Sequence, residues 1–168
     1  MSIIYTTKRL LVRKLIPEDF EPFHAMQSNI NVMRYVRGKA MTYQENKEEL
    51  PKLIEFYDKK DNNFWIYAIV RRHDNAFIGT VALVKDENND DEIGYRFLEE
   101  YWGYGYGTEV FDGLIDYCKS MGLKKIIANV AIDNKASLKI IKNVNFQFVE
   151  DFISNDLQLS EQKYILQL

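Results

Sequence analysis

Cysteine is nearly absent from this chain of 168 residues: Cys118 stands alone, so no internal disulfide can staple the fold, which fits a reducing compartment. Histidine is almost as scarce. His24 and His73, with one cysteine, fall short of the donors that a conventional zinc site needs. No apolar run approaches the roughly 18 residues of a membrane-spanning helix. The first five residues are too short for a secretory leader before Lys8 and Arg9 interrupt. Positive charge is not in excess either, with 22 Lys and Arg against 25 Asp and Glu and a net charge of −3. That balance argues against a nucleic-acid-binding surface and leans towards a cationic partner such as an amine. The composition predicts a cytoplasmic protein, off the membrane and without a metal, with one domain over 1–168.

What is present reads as a mixed α/β chain. A strand over 7–15 is followed by Pro17-Glu18-Asp19, a helix start with proline in its first turn and acids near the dipole. Thr42 and Glu45 have the spacing of a capping box for a second helix carrying Leu50, Leu53, Ile54 and Tyr57. The apolar run 64–70 predicts a strand covered on both faces. Asp74-Asn75 turns it back into 77–84, and a polar loop over 86–91 leads to a strand over 92–98 with Glu92, Gly94 and Arg96 on one face. A helix over 107–121 buries Val110, Phe111, Leu114, Ile115 and Cys118 and stops at Gly122. A strand over 124–131, a short helix ended by Asn145, and strands over 146–153 and 162–168 complete the chain. The order β-α-α-β-β-β-α-β-α-β-β implies an antiparallel meander feeding a β-α-β crossover.

The segment Tyr101-Trp102-Gly103-Tyr104-Gly105-Tyr106-Gly107-Thr108-Glu109 separates the third meander strand from the most helical stretch. Spaced glycines at a helix start leave backbone N–H groups unblocked, and the helix dipole behind them favours an anion such as a pyrophosphate. A dinucleotide fingerprint fits poorly, because the cluster follows several strands and Thr108 occupies the last glycine place. A nucleotide P-loop fails, since no Gly-Lys-Ser/Thr follows. A tight strand-to-helix turn that needs glycine for geometry alone remains open on spacing.

Together with Glu92-Ile93-Gly94-Tyr95, Asn134-Lys135-Ala136-Ser137, Thr7-Lys8-Arg9-Leu10 and Val32-Met33-Arg34-Tyr35, this segment resembles the GNAT superfamily of acyl-CoA-dependent N-acetyltransferases. The resemblance covers nearly the whole chain and is narrowest to the RimJ/RimL-type branch, which includes ribosomal-protein amino-terminal acetyltransferases. Three positions depart from the pattern: Trp102 replaces the superfamily's usual Gln or Arg, Gly107 the branch's usual alanine, and Asn145 its usual glycine.

The resemblance implies a mostly antiparallel sheet with a splayed central pair of strands, flanked by helices. It implies acetyl-CoA as donor, with its pyrophosphate on Gly103, Tyr104, Gly105, Tyr106, Gly107 and Thr108, beginning at Trp102. The pantetheine arm would lie where the strand ending at Phe97 and Leu98 parts from 129–131, pairing like a substitute strand. Asn134 would hold that arm or an ordered water, Ser137 would protonate the departing thiolate, and Glu92 would deprotonate the acceptor amine. A backbone N–H near Phe97 would meet the developing oxyanion.

Each residue also has a plainer reading. Asn134 suits a helix cap with Ser137 in its first turn, and Glu92 suits a solvated strand end. Residues 86–91 read as a solvated loop, His24 as packing and Cys118 as a small core residue, while Tyr35 and Tyr43 are candidates to line an acceptor pocket. The implied acceptor is a protein amino terminus, with a small-molecule amine as second reading and a non-catalytic acyl-CoA sensor as third. The branch also allows a homodimer.

Overall fold

The computed structural model describes residues 1–168. Eight strands, β1 (Ile3–Thr6), β2 (Leu10–Lys14), β3 (Phe64–Arg71), β4 (Ala76–Lys85), β5 (Asp91–Phe97), β6 (Lys125–Ala131), β7 (Gln147–Ile153) and β8 (Ser160–Gln167), form one sheet. Their order is β1-β2-β3-β4-β5-β6-β8-β7. Every neighbouring pair is antiparallel except β5 and β6, which are joined in parallel through a crossover helix. Helices α1 (Phe20–Gln27), α2 (Ile30–Met33) and α3 (Tyr43–Glu55) cover one face; α4 (Tyr106–Ser120) and α5 (Lys135–Asn143) cover the other.

Covering both faces is what makes β3 so apolar. Its Tyr67 and Ile69 join the core under α4, while Ile66, Ala68 and Val70 join the core under α1 and α3, following the two-residue period of a strand. On α4, Val110, Phe111, Leu114, Ile115 and Cys118 are buried, each such aliphatic or aromatic side chain contributing roughly 1.5–3 kcal/mol. Burial also pushes the Cys118 thiol up to about 12, which leaves it inert.

Local signals fall where their chemistry puts them. Thr42 Oγ1 accepts from Glu45 N (3.2 Å) while Glu45 Oε2 accepts from Thr42 N (2.7 Å), a complete capping box. Gly122 and Asn145 take positive φ values of 82° and 63° at the two helix ends.

One element differs. The strand expected over 7–15 is confined to β2 and an unexpected strand, β1, precedes it, because Thr7 folds back: its N–H donates to Leu10 O (2.9 Å) and its hydroxyl accepts from Leu10 N (3.1 Å). The short, half-exposed β1 beyond that turn carries too weak an alternation to be read from sequence.

Candidate active site

The feature that shapes the site is a defect in the sheet. β5 and β6 each run seven residues, yet they pair at one position only, Glu92 with Ile127. Beyond it they part, and a cleft of about 720 Å³ opens between them. Leu98 N donates to Ile78 O on the β4 side (2.9 Å). Because an antiparallel ladder alternates, the N–H and C=O groups of Tyr95 and Phe97 must then point the other way, into the gap. Trp102 Nε1 donates to Phe97 O (3.1 Å), which leaves the Tyr95 groups and the Phe97 N–H as free strand edge.

At the open end of the gap lies the glycine segment. Gly103 and Gly105 have φ values of 81° and 77°, the left-handed region where a side chain is strained. Gly107 is helical and is glycine for room: a Cβ there would come within 2.9 Å of Ile140 Cδ1 and 3.2 Å of Tyr95 Oη. None of the six N–H groups over 103–108 donates to a protein acceptor; the first helical amide with a backbone partner is Glu109 N, to Gly105 O (3.3 Å). Six unsatisfied donors at the positive end of a fifteen-residue helix form an anion receptor.

A strap from the opposite end of the chain holds this loop. Glu109 in the first turn of α4 accepts from Thr7 Oγ1 (2.6 Å), Arg9 N (2.7 Å) and Arg9 Nε (2.6 Å). Arg9 Nη1 donates to Tyr104 O (2.8 Å), and its guanidinium lies over the Tyr106 ring at 4.6 Å.

The far wall of the cleft comes from α5 and β6. Asn134 Oδ1 accepts from Ser137 N (3.3 Å), so Asn134 is the helix cap, and both residues line the cleft. Ser137 Oγ lies 3.3 Å from Tyr95 Oη. Burial raises the Tyr95 pKa and keeps that phenol protonated, so it can donate a hydrogen bond to the serine oxygen. Asn129, also on the wall, has a buried Oδ1 with no partner, a seat waiting for an N–H.

Glu92 sits where the strands separate. Burial, then the fields of Asp86 and Glu161, push its carboxyl up to about 7, against the opposing effects of Asn129 and Lys163. It is therefore no solvated strand end. A carboxyl of that pKa exchanges protons near neutrality, as a base for an ammonium must.

Comparison with known proteins decides the family. The model of the acetyltransferase (GNAT) domain matches residues 9–147. The chain belongs to the GNAT acetyltransferase family. It is 31% identical over 154 residues to the uncharacterized N-acetyltransferase YoaA of Bacillus subtilis (strain 168), covering 88% of this chain and 84% of YoaA. The RimL ribosomal L7/L12 alpha-N-protein acetyltransferase, solved with coenzyme A, shares its fold: TM-score 0.83 and 15% identity over 99% of this chain and 98% of RimL. So does spermidine N-acetyltransferase from Vibrio cholerae, solved with CoA and spermine: TM-score 0.79 and 19% identity over 95% of each chain.

Within this GNAT frame the expected residues separate into two groups. Phe97, Trp102, Gly103, Gly105, Tyr106, Gly107, Thr108, Asn134 and Ser137 line one cleft. Glu92, Leu98 and Tyr104 lie outside its lining. The Leu98 amide is taken by Ile78 and its side chain packs towards the α1–α3 core, so the coenzyme contact expected there has no free group to make it. Tyr104 contributes an unpartnered amide while its ring stays exposed and stacks on Tyr106 at 5.8 Å.

Tyr35 lines the cleft; Tyr43 instead packs edge-on against Phe20 and His24. The acidic loop is tied down, Asp90 bonding Lys125 and Lys163 and Asp91 bonding Lys85. Sequence reasoning missed the roles of Arg9, Tyr95 and Asn129. Their partners lie tens of residues away, and only the strand spacing of Tyr95 beside Gly94 hinted at a cleft-facing backbone. No helix is long and apolar enough to cross a membrane.

Proposed function

We propose that residues 1–168 act as one acetyltransferase domain that moves an acetyl group from acetyl-CoA to a primary amine by direct attack in a ternary complex. The observation that carries this is the run of unpartnered amides over 103–108, in a segment that, Tyr104 apart, lines the same cleft as Ser137 and the freed edge of β5. The fit to coenzyme A is chemical on both counts. A pyrophosphate suits a run of free N–H groups at a helix start, and an amide-bearing arm suits the unpaired edge of β5 and the orphaned Asn129 Oδ1. Bound there, the coenzyme supplies an activated thioester.

The chain's own residues then divide the work. Glu92 takes a proton from the acceptor ammonium, which has no lone pair until it is deprotonated. A backbone N–H on the freed edge of β5 stabilises the oxyanion, and Ser137, backed by Tyr95, delivers a proton to the leaving sulfur. Holding both reactants in one cleft supplies much of the acceleration.

Ser137→Ala is expected to lower kcat by about 10- to 100-fold while leaving coenzyme A affinity within about twofold. Stopped-turnover kinetics and calorimetry would read the two separately, and lost affinity would assign Ser137 to structure. Arg9→Ala, which cuts the strap on the loop, is expected to weaken coenzyme A binding about tenfold through misplaced amides rather than lost contacts. Unchanged affinity would show that the loop holds its shape unaided.

For the acceptor, likeness to RimL favours a protein amino terminus, and likeness to spermidine N-acetyltransferase supports a small-molecule amine as second reading. Incubation with acetyl-CoA, an amine library and a ribosomal-protein extract, read by mass spectrometry, separates them. Coenzyme binding without thiol release from any amine would make the protein a sensor instead.

A further inference from the structure

The acceptor side of the cleft holds a charge that nothing in the protein neutralises. Arg96 lies on the face of β5 turned towards α2, the same face as Glu92, with Gly94 between them. Its Nε donates to Thr80 Oγ1 (3.1 Å) and its Nη1 points at Met33 Sδ (3.6 Å), a weak acceptor. No carboxylate comes within ion-pair distance. Glu49, whose field does reach Arg96, is already bonded to Arg37 and Gln27. Burial lowers the Arg96 pKa to about 10, Glu49 opposing and Arg37 adding to the fall, so the group stays cationic at neutral pH.

A half-buried guanidinium without a counter-ion is costly and is ordinarily paired. Two further features mark this one as open to a ligand. Arg34, on the same wall of the cleft, also lacks a carboxylate partner, its Nη2 reaching only Asn31 Oδ1 (3.0 Å). Above Gly94 there is nothing within 4 Å of where a Cβ would stand, so the strand face between Glu92 and Arg96 is unobstructed. The free amides over 103–108 are the groups assigned above to the coenzyme's phosphates, which leaves the arginine for the other reactant.

We infer that Arg96 is a specificity-determining residue that binds an anionic group on the acceptor, so that the preferred acceptor is an amine carrying a nearby carboxylate or phosphate. The acceptor then lies along β5 with its nitrogen towards Glu92 and the thioester and its anion on Arg96, with Arg34 at the mouth. This inference rests on the acetyltransfer reading above.

The test uses pairs of amines that differ only in the anion: an amino acid and its amide, O-phosphoethanolamine and ethanolamine, and short peptides beginning with Asp or with Asn. Thiol release from acetyl-CoA is measured for the native protein, Arg96→Lys and Arg96→Gln, with coenzyme A affinity measured in parallel. The anion-bearing member of at least one pair is expected to show a kcat/KM at least about tenfold higher, mostly through KM. Arg96→Lys should keep part of that preference and Arg96→Gln should lose it, with coenzyme affinity unchanged. Which pair responds identifies the source of the anion. Parity within every pair in the native protein, a preference that survives in Arg96→Gln, or loss of coenzyme binding in that variant would each overturn the assignment of Arg96. Absence of thiol release with every amine in the native protein would instead overturn the transferase reading, and this inference with it.

Discussion

Glu92→Gln is expected to cut kcat by about 10²-fold or more at pH 8 and to flatten a pH–rate profile that is expected, in the native protein, to rise through about pH 7. The same substitution should make the protein more stable. An unfolded glutamate releases its proton near 4.5, whereas this one holds it to about 7 because burial, Asp86 and Glu161 disfavour the anion. Between those values the folded state binds more protons, so stability falls as pH rises, and the full cost is present above pH 7. That cost is up to about 3 kcal/mol, which glutamine would not incur. Melting curves of both proteins at pH 4 and pH 8 would check the sign. The gap between them should be near zero at the lower pH and several degrees in favour of the variant at the higher. A variant that loses activity without gaining stability at pH 8 would show that Glu92 is paired in solution and its raised pKa absent.

Gly105→Val is expected to abolish measurable coenzyme A binding, a loss of about 100-fold or more, in a protein that still folds. At φ 77° a β-branched residue is strained by about 1–2 kcal/mol, enough to lower the melting temperature by a few degrees but not to undo two cores. To relieve the strain the backbone must leave the left-handed region. That rotates the Gly105 and Tyr106 amides out of the run of free donors at the helix start. Gly107→Ala makes the contrast. Its φ is helical, and a Cβ there would press on the flexible end of Ile140 and, less closely, on the Tyr95 ring, side chains rather than backbone. Affinity should change by less than about threefold there. Calorimetric titration with coenzyme A settles both. Equal losses at the two positions would mean that the segment matters for space alone, and unchanged binding in Gly105→Val would remove the phosphate-loop assignment.

The two substitutions also mark where local chemistry stops being informative. Gly103 and Gly105 declare themselves from their neighbours, because a positive φ and a helix start are properties of a few consecutive residues. The same holds for the Thr42–Glu45 box, the stop at Gly122 and the left-handed Asn145, and for the buried alternation of β3 on its two faces. Motif order then pointed to the family, since glycine loop, preceding strand and following Asn134–Ser137 turn keep their sequence.

Other properties belong to pairs of distant segments. Leu98 sits beside Phe97 in the chain, yet one amide faces β4 and the other the cleft, and the ladder phase that separates them comes from Ile78. Arg9 lies 95 residues from the carbonyl it restrains, so its motif could be matched without its task being visible. Glu92 carries a raised pKa because desolvation at the strand junction, then Asp86 and Glu161, disfavour its anion, and Arg96 lacks a counter-ion because Glu49 is occupied by Arg37 and Gln27. Backbone dihedrals, caps and burial periods are set within a turn or two of chain, so the amino-acid order specifies them directly. Charge environment, strand phase and the presence or absence of a partner depend on what the fold brings opposite, and those quantities exist only once the sheet has closed around them.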